Sequence, residues 1–192
     1  ATEVFLKPLE RRAMFDCDAI PRLNLSSSQE SPPRGTRNSI EIDGAGGPTR
    51  APDSARSIWL AMHPGSGSER KNWPETRWAE LVRTVVESTP WNLVLVGGEA
   101  EGDRLARLLP LIPAERRELA QNLPLVGLAV RLERCEAYLG HDSGVSHLAA
   151  AVGLRGVILW GETKASIWRP RSEGMRILSG GGQLSELPVK LQ

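Results

Sequence analysis

From residue 57 onward, short apolar runs alternate with longer stretches in which apolar residues recur every three or four positions. The apolar runs at 58–63 and 92–97 stop at Pro-Gly or Gly-Gly, as expected of strands that are buried on both faces. Weaker runs predict further strands at 118–120, 136–140, 156–161 and 175–178. The longer stretches predict helices over 74–88, 99–109, 125–135 and 143–153.

Strands that alternate with helices predict a parallel sheet with helices on both faces. We therefore expect an α/β domain with a doubly wound parallel sheet over residues 57–180, followed by a C-terminal tail at 181–192. Ligands of such sheets bind beyond the carboxyl ends of the strands. The loops that follow strands are the places where functional residues are expected.

Residues 1–56 follow a different pattern. Residues 3–17 predict one helix, whose loose apolar stripe is interrupted by Pro8. After Leu25 the segment is rich in Ser, Pro, Gly, Thr and Arg, and Ile40 and Ile42 are its only large aliphatic residues. Because so little apolar surface can be buried there, we expect most of this linker to be disordered.

Composition and charge exclude several functions. The net charge of +1 gives no electrostatic reason to expect a nucleic-acid partner. Cys17 and Cys135 are too few for a disulfide framework or a zinc site, and they indicate reduced thiols in a cytoplasmic protein. The sequence has no apolar run near the roughly 20 residues of a membrane helix, and its charged N-terminus does not read as a signal peptide. The first residue is Ala1 rather than Met, so we expect a fragment.

The loop after the first predicted strand has the residue types of a phosphate site. Gly65 and Gly67 let the backbone approach a ligand, Ser66 and Ser68 offer hydroxyls, and Lys71 adds a positive charge. A plain Gly/Ser turn beside a solvated lysine explains the same residues equally well.

The loops after two other strands are weaker candidates. Glu99 follows the second strand, where a carboxylate can bind ribose hydroxyls. Taken alone, it is better explained as an acidic residue at a helix N-terminus. Thr163 follows a later strand and could contact phosphate, while Trp168 could cover the edge of the core.

The segment 139–153 carries the strongest signal. It predicts a strand end, a tight Asp-Ser-Gly turn and a helix with Ser143 at its N-cap, so several backbone N–H groups point to one spot. Ser143 and His147, one helical turn apart, add side-chain donors to this anion-binding turn. Asp142 either caps the helix or accepts from a sugar hydroxyl, and a half-buried structural role is the commoner one for a lone histidine such as His147. His141 and His147 lie six residues apart, on different helix faces, so no metal site is predicted.

Together these loops resemble the C-terminal half of glycosyltransferase family 9, the ADP-heptose:lipopolysaccharide heptosyltransferases. The order and the gaps of the motifs fit over about residues 57–180. The matching motifs are His63-Pro-Gly-Ser, Lys71-Asn-Trp-Pro74, Val96-Gly-Gly-Glu99, the segment 138–151, Leu159-Trp-Gly161 with Thr163, and Trp168-Arg-Pro170.

The resemblance implies the donor-binding half of a GT-B architecture, in which two Rossmann-like domains flank the substrate cleft. It implies that this half binds a nucleotide-sugar, ADP-heptose or a related ADP-sugar, without a metal or further cofactor. The residues expected to bind the donor are Ser66, Gly67 and Lys71 at the diphosphate, Glu99 at the nucleoside, Asp142, Ser143, Gly144 and His147 at the sugar and diphosphate, and Thr163.

The same resemblance places the acceptor site and the catalytic base in an N-terminal domain. Residues 1–56 contain no strand-helix series for such a domain and at most match its last helix and linker, so no catalytic residue is assigned. The expected activity of the family is sugar transfer to a lipopolysaccharide core acceptor at the cytoplasmic face of the inner membrane, with peripheral membrane association. The alternatives are a non-catalytic nucleotide-sugar-binding module and a truncated, inactive remnant.

Overall fold

The computed structural model describes residues 57–179 and Leu184. Its six strands are β1 Trp59–His63, β2 Asn92–Gly97, β3 Arg117–Gln121, β4 Ala137–His141, β5 Arg155–Trp160 and β6 Met175–Ser179. Its α-helices are α1 Glu75–Ser88, α2 Gly102–Leu108, α3 Leu125–Glu133, α4 Gly144–Ala151 and α5 Ala165–Trp168. Short 3-10 turns lie at Glu69–Lys71, Glu99–Glu101, Leu109–Leu111 and Ala114–Arg116.

The strands form one parallel sheet in the order β3-β2-β1-β4-β5-β6. The chain winds outward in one direction from β1 to β3, crosses back to β4, and winds outward in the other direction to β6. This is the doubly wound arrangement that the sequence predicts, and the prediction is confirmed. The order reverses between β1 and β4, which are in register from Leu60 opposite Ala137 to His63 opposite Gly140.

The core has two layers, one on each face of the sheet. Along β1, Leu60 and Met62 face one layer and Ala61 faces the other, as the two-residue period of a strand requires. The Leu60 layer packs against α1 and α2, and the Ala61 layer packs against α3 and α4. Burial on both faces explains why β1 and β2 read as continuous apolar runs.

The predicted boundaries are close to those observed. The weak strand predicted near 118–120 is β3, which pairs with β2 from Leu93 opposite Arg117 to Gly97 opposite Gln121. The helix predicted over 99–109 starts as a 3-10 turn and becomes α-helical only at Gly102. Leu184 is buried in the Leu60 layer, next to Gly161, so chain beyond residue 180 contributes to the core.

Two sets of sequence expectations lie outside the described residues: the N-terminal helix and linker at 1–56, and the rest of the tail at 181–192. Within the described part of the chain, no helix combines the length and the apolar character that crossing a membrane requires.

Arg116 holds the connection between α1 and β2. Its guanidinium donates to the carbonyl oxygens of Val86 at 2.9 Å, Thr89 at 2.7 Å and Trp91 at 3.0 Å. Carbonyls at the end of a helix lack partners within the helix, so a fork-shaped donor at this point satisfies groups that would otherwise need water.

We predict that Arg116→Ala lowers the free energy of unfolding by about 2 kcal/mol, because hydrogen bonds to charged groups contribute about 1.5–3 kcal/mol each and water can replace part of this cluster. Arg83→Ala, at an exposed position of α1, is the matched control and should change stability by less than about 0.5 kcal/mol. Urea denaturation measures both variants. Equal stabilities for the two would show that the three carbonyls gain nothing from Arg116.

Candidate functional site

A cleft of about 450 Å³ opens at the carboxyl edge of the sheet, where the strand order reverses between β1 and β4. Its volume is in the range of small-molecule sites. Residues from the loops after β1, β2 and β4 meet here with the first turns of α3 and α4. The lining residues are His63, Ser66, Gly67, Gly98, Glu101, Leu125, Leu128, Ser143, Gly144, Val145 and Leu148.

The loop after β1 contributes Ser66 and Gly67 to the cleft wall. Ser66 Oγ lies 2.7 Å from Asn72 Oδ1, so the start and the end of this loop are linked. Gly67 has φ +71°, a left-handed conformation that side chains other than glycine's rarely adopt, and its Cα has open space around it. Both predicted residues are therefore brought to the site, and Gly67 exposes backbone to it.

Gly65 has a different role from the one its sequence suggests. It is buried, and a Cβ at this position would overlap the side chain of Glu101. The glycine is required because a carboxylate side chain packs behind the loop, and the exposed backbone for a ligand is that of Gly67.

Lys71 is held beside the cleft by the turn after β4. Its Nζ lies 3.3 Å from Asp142 Oδ2, and Thr163 Oγ1 donates to the same oxygen at 2.6 Å. Asp142 thus joins the loops after β1, β4 and β5, which are far apart in the sequence. The side chains of Lys71 and Asp142 are 32% and 14% exposed, so the pair is partly screened by solvent and remains within reach of a ligand.

Helix α4 begins at the cleft, as predicted. Ser143 occupies the N-cap position in an extended conformation, with Gly144 as the first helical residue. The Ser143 side chain does not cap the helix: its Oγ is buried and has no hydrogen-bond partner in the described part of the chain. Burial raises the pKa of the nearby Tyr138, and the hydroxyls of Ser146 and Ser143 act in the opposite direction. A buried donor left open beside a helix N-terminus suits an anionic ligand.

The acidic residue in the cleft is Glu101, whereas the sequence interpretation pointed to Glu99. Glu101 is 8% exposed, lines the cleft, and accepts from the backbone N–H of Gly98 at 2.9 Å. Glu99 begins the same 3-10 turn, is exposed, and is not among the lining residues. The two side chains differ because Glu101 lies on the face of the turn that points toward Gly65.

His147 lies one turn into α4 and is exposed. Within residues 57–179 its side chain makes no hydrogen bond or ion pair, so the half-buried structural role that its isolation suggests does not apply. Trp168, at the end of α5, is 50% exposed and does not cover the core edge.

Two buried histidines stand under the site. His63 lines the cleft, and its Nδ1 lies 2.9 Å from the carbonyl oxygen of Val96. His141 is fully buried, with Nδ1 3.2 Å from the carbonyl oxygen of Gly65 and Nε2 2.8 Å from the backbone nitrogen of Trp73. Burial lowers the pKa of both side chains, that of His141 to about 3, so both are neutral near neutral pH.

A larger groove, about 680 Å³, runs along residues 166–175. None of the residues predicted to bind a ligand lines it, and it does not lie at the reversal of strand order. We assign the candidate site to the smaller cleft because a helix N-terminus and four of the predicted residues line it: Ser66, Gly67, Ser143 and Gly144. Lys71, Glu99, Asp142, His147 and Thr163 are not among its lining residues. In the part of the chain that the structure describes, no group of three or more His, Cys, Asp or Glu side chains is placed to hold a metal ion.

Three features of the site are not predicted from the sequence: the buried Glu101 in the cleft, the hydrogen bonds of His141, and the apolar wall formed by Leu125 and Leu128. The apolar stripe of α3 could have indicated the wall, because Leu125 is apolar and yet is 70% exposed at the start of this amphipathic helix.

The family model of glycosyltransferase family 9 (heptosyltransferase) matches residues 25–188. The match covers all of the described domain and begins in the segment for which the sequence predicts disorder. It therefore extends the resemblance beyond the motifs of residues 57–180.

Curated relatives include lipopolysaccharide heptosyltransferase 1 of Pseudomonas aeruginosa, 35% identical over 55% of this chain and 29% of the relative. Lipopolysaccharide heptosyltransferase 2 of Escherichia coli K12 is 30% identical over 56% of this chain and 32% of the relative. The aligned part of this chain thus spans about a third of the length of these relatives.

Among solved structures, E. coli heptosyltransferase WaaC with ADP-2-deoxy-2-fluoro heptose superposes with a TM-score of 0.60 at 25% identity. The superposition covers 73% of this chain and 42% of that one. The shared fold and the family match over most of the sequence have one explanation: the chain belongs to glycosyltransferase family 9.

Proposed function

We propose that this chain binds a nucleotide-diphosphate sugar of the ADP-heptose type in the cleft between β1 and β4, and that it forms the donor half of a sugar transferase. The observation that carries the proposal is the convergence, in one cleft, of phosphate-binding groups and an apolar wall. A nucleotide-sugar has the same division between a charged diphosphate and a flat base.

The diphosphate fits beside the first residues of α4. The N-terminus of α4 offers backbone N–H groups and the positive end of a helix dipole, and the open hydroxyl of Ser143 lies beside it. Across the cleft, Ser66 adds a hydroxyl and Gly67 exposed backbone. Lys71 supplies the positive charge, since it keeps part of its surface in solvent while paired with Asp142.

The nucleoside fits against the apolar wall of the same cleft. Leu125 and Leu128 of α3, with Val145 and Leu148 of α4, form a wall of the kind that a purine ring packs against. Glu101 stands in the same cleft with a carboxylate that can accept from ribose hydroxyls. We therefore propose Glu101 as the ribose-binding residue, in place of Glu99.

The sugar of the donor is assigned to the cluster of Asp142 and Thr163, with the exposed His147 nearby on α4. Asp142 carries negative charge and would repel phosphate, so its role is to accept from a sugar hydroxyl. Exposed His147 can turn toward either the sugar or the diphosphate once a ligand is bound.

Transfer of a sugar leaves charge on the departing diphosphate. Lys71 and the N-terminus of α4 are placed to stabilise that charge, which is the part of the mechanism this half can supply. A general base must reach the acceptor hydroxyl, and we assign that role to no described residue. The names of the lipopolysaccharide heptosyltransferase relatives support a lipopolysaccharide acceptor for the whole protein.

The first test is calorimetric titration of the 192-residue chain with ADP. Lys71→Met should weaken ADP binding about tenfold or more, because one charge-assisted contact to phosphate is lost. Lys164→Met, which removes an exposed lysine near the same edge, should leave the affinity within about twofold. Absence of ADP binding to the unmodified chain would refute the proposal, and equal effects of the two substitutions would remove Lys71 from the site.

The second test separates the two glutamates. Glu101→Gln removes the charge and keeps the shape, so it should weaken both ADP and adenosine about fivefold to tenfold. Glu99→Gln should leave both affinities within about twofold, because its side chain lies outside the cleft. The opposite ranking would restore Glu99 as the residue at the nucleoside.

A further inference from the structure

His141 is the last residue of β4 and is inaccessible to solvent. Neither the proposed binding role nor the two core layers accounts for it. An apolar side chain would fill this space without needing partners, whereas a buried imidazole needs a hydrogen bond at each ring nitrogen, and both of these nitrogens are engaged. Its contact with Trp78, edge to face at 5.3 Å between ring centres, explains its packing but not these two bonds.

The two partners determine the protonation state of the ring. The backbone N–H of Trp73 can only donate, so Nε2 must be the unprotonated acceptor. The carbonyl of Gly65 can only accept, so Nδ1 must carry the hydrogen. The imidazole is therefore neutral with its hydrogen on Nδ1. A second proton on Nε2 would point at the backbone N–H of Trp73, so that two donors would face each other.

Both partners belong to one loop. Gly65 immediately precedes Ser66, and Trp73 follows Lys71 by two residues, so the ring binds the two ends of the segment that carries the proposed diphosphate contacts. The register of the sheet makes this possible. Because His63 of β1 lies opposite Gly140 of β4, the next residue of β4 stands over the start of the loop that leaves β1.

We propose that His141 is a positioning residue: by bonding Gly65 and Trp73 it fixes the loop 65–73, so that Ser66 and Lys71 are in place before a diphosphate arrives. This inference rests on the proposed nucleotide-binding role of the cleft. A loop fixed in its binding conformation loses less entropy on binding. Arg104 supports the same loop from outside, with a hydrogen bond of 2.8 Å to the carbonyl of Pro64, but it bonds neither Gly65 nor Trp73.

The position predicts a pH dependence with a definite sign. Burial lowers the pKa of His141 from 6.5 to about 3; the hydrogen bond to the Gly65 carbonyl opposes this shift, and the neighbouring His63 and Arg104 side chains add to it. A group with a lowered pKa in the folded state takes up its proton only on unfolding, so its contribution to stability is complete above pH 6.5 and is lost as the pH falls toward 3.

Between about pH 5.5 and 4.5, the unfolding constant of the native protein should therefore rise about tenfold more than that of His141→Phe. Other titrating groups, His63 included, are common to both proteins and cancel in the comparison. Identical pH profiles would show that His141 is not held neutral by the fold.

The decisive experiment compares ADP with adenosine on three proteins: the native chain, His141→Phe and His141→Asn. The Phe side chain keeps the aromatic contact with Trp78 and removes both bonds. The Asn side chain keeps a donor near the position of Nδ1 and so retains the bond to Gly65. We expect His141→Phe to weaken ADP about tenfold while adenosine changes by less than about twofold, with His141→Asn intermediate.

Amide hydrogen exchange on the same proteins gives a readout that needs no ligand. In His141→Phe the amide of Trp73 and its loop neighbours should lose protection, while the amides of α1 and β2 keep theirs. A uniform loss across the domain, or equal losses of ADP and adenosine affinity, would overturn the positioning role. Should the native chain bind no ADP, the proposed function fails, and the exchange data still decide: unchanged protection of the loop refutes the role of His141.

Discussion

The parallel pairing of β1 with β4 is the constraint on which the site depends. β2 and β4 lie on opposite sides of β1, so the connections that leave β1 and β4 diverge above the sheet and leave a crevice between them. The register sets which residues meet there, since His63 lies opposite Gly140 and the next residues enter the loops. Gly140 itself must lack a side chain, because a Cβ would overlap the hydroxyl of Tyr138.

The loops above the crevice are held by charges and backbone groups that satisfy one another. Lys71 pairs with Asp142, Arg70 pairs with Glu162 at 2.7 Å, and Arg104 pairs with Glu69 at 2.9 Å. The first of these is partly buried, whereas the Arg70 pair is exposed and contributes little to stability. These pairs matter for function because they order the loops. A loop that is already fixed loses less entropy when its hydroxyl and backbone donors bind an anion.

The sequence predicts the sheet and the location of the site well, and the internal contacts of the site poorly. Strands such as β2 are evident because burial on both faces demands a continuous apolar run. Glu101 could not be distinguished from Glu99, since the choice depends on which face of a 3-10 turn meets Gly65. The role of His141 was hidden for a related reason: its partners are 76 and 68 residues away, and no local pattern records such contacts. Local periodicity predicts single strands and helices, whereas the site is formed by elements that meet across the sheet.

The central claim is that the cleft between β1 and β4 holds the diphosphate of a nucleotide-sugar at the N-terminus of α4. A crystal structure of the chain with ADP bound tests it most directly. We expect the diphosphate at Ser143 and Gly144, facing Ser66 and Lys71, with the base against Leu125 and Leu128. Density for the nucleotide in the groove along residues 166–175, or with the base at Ser143 and Gly144 and the phosphates in solvent, would contradict the account.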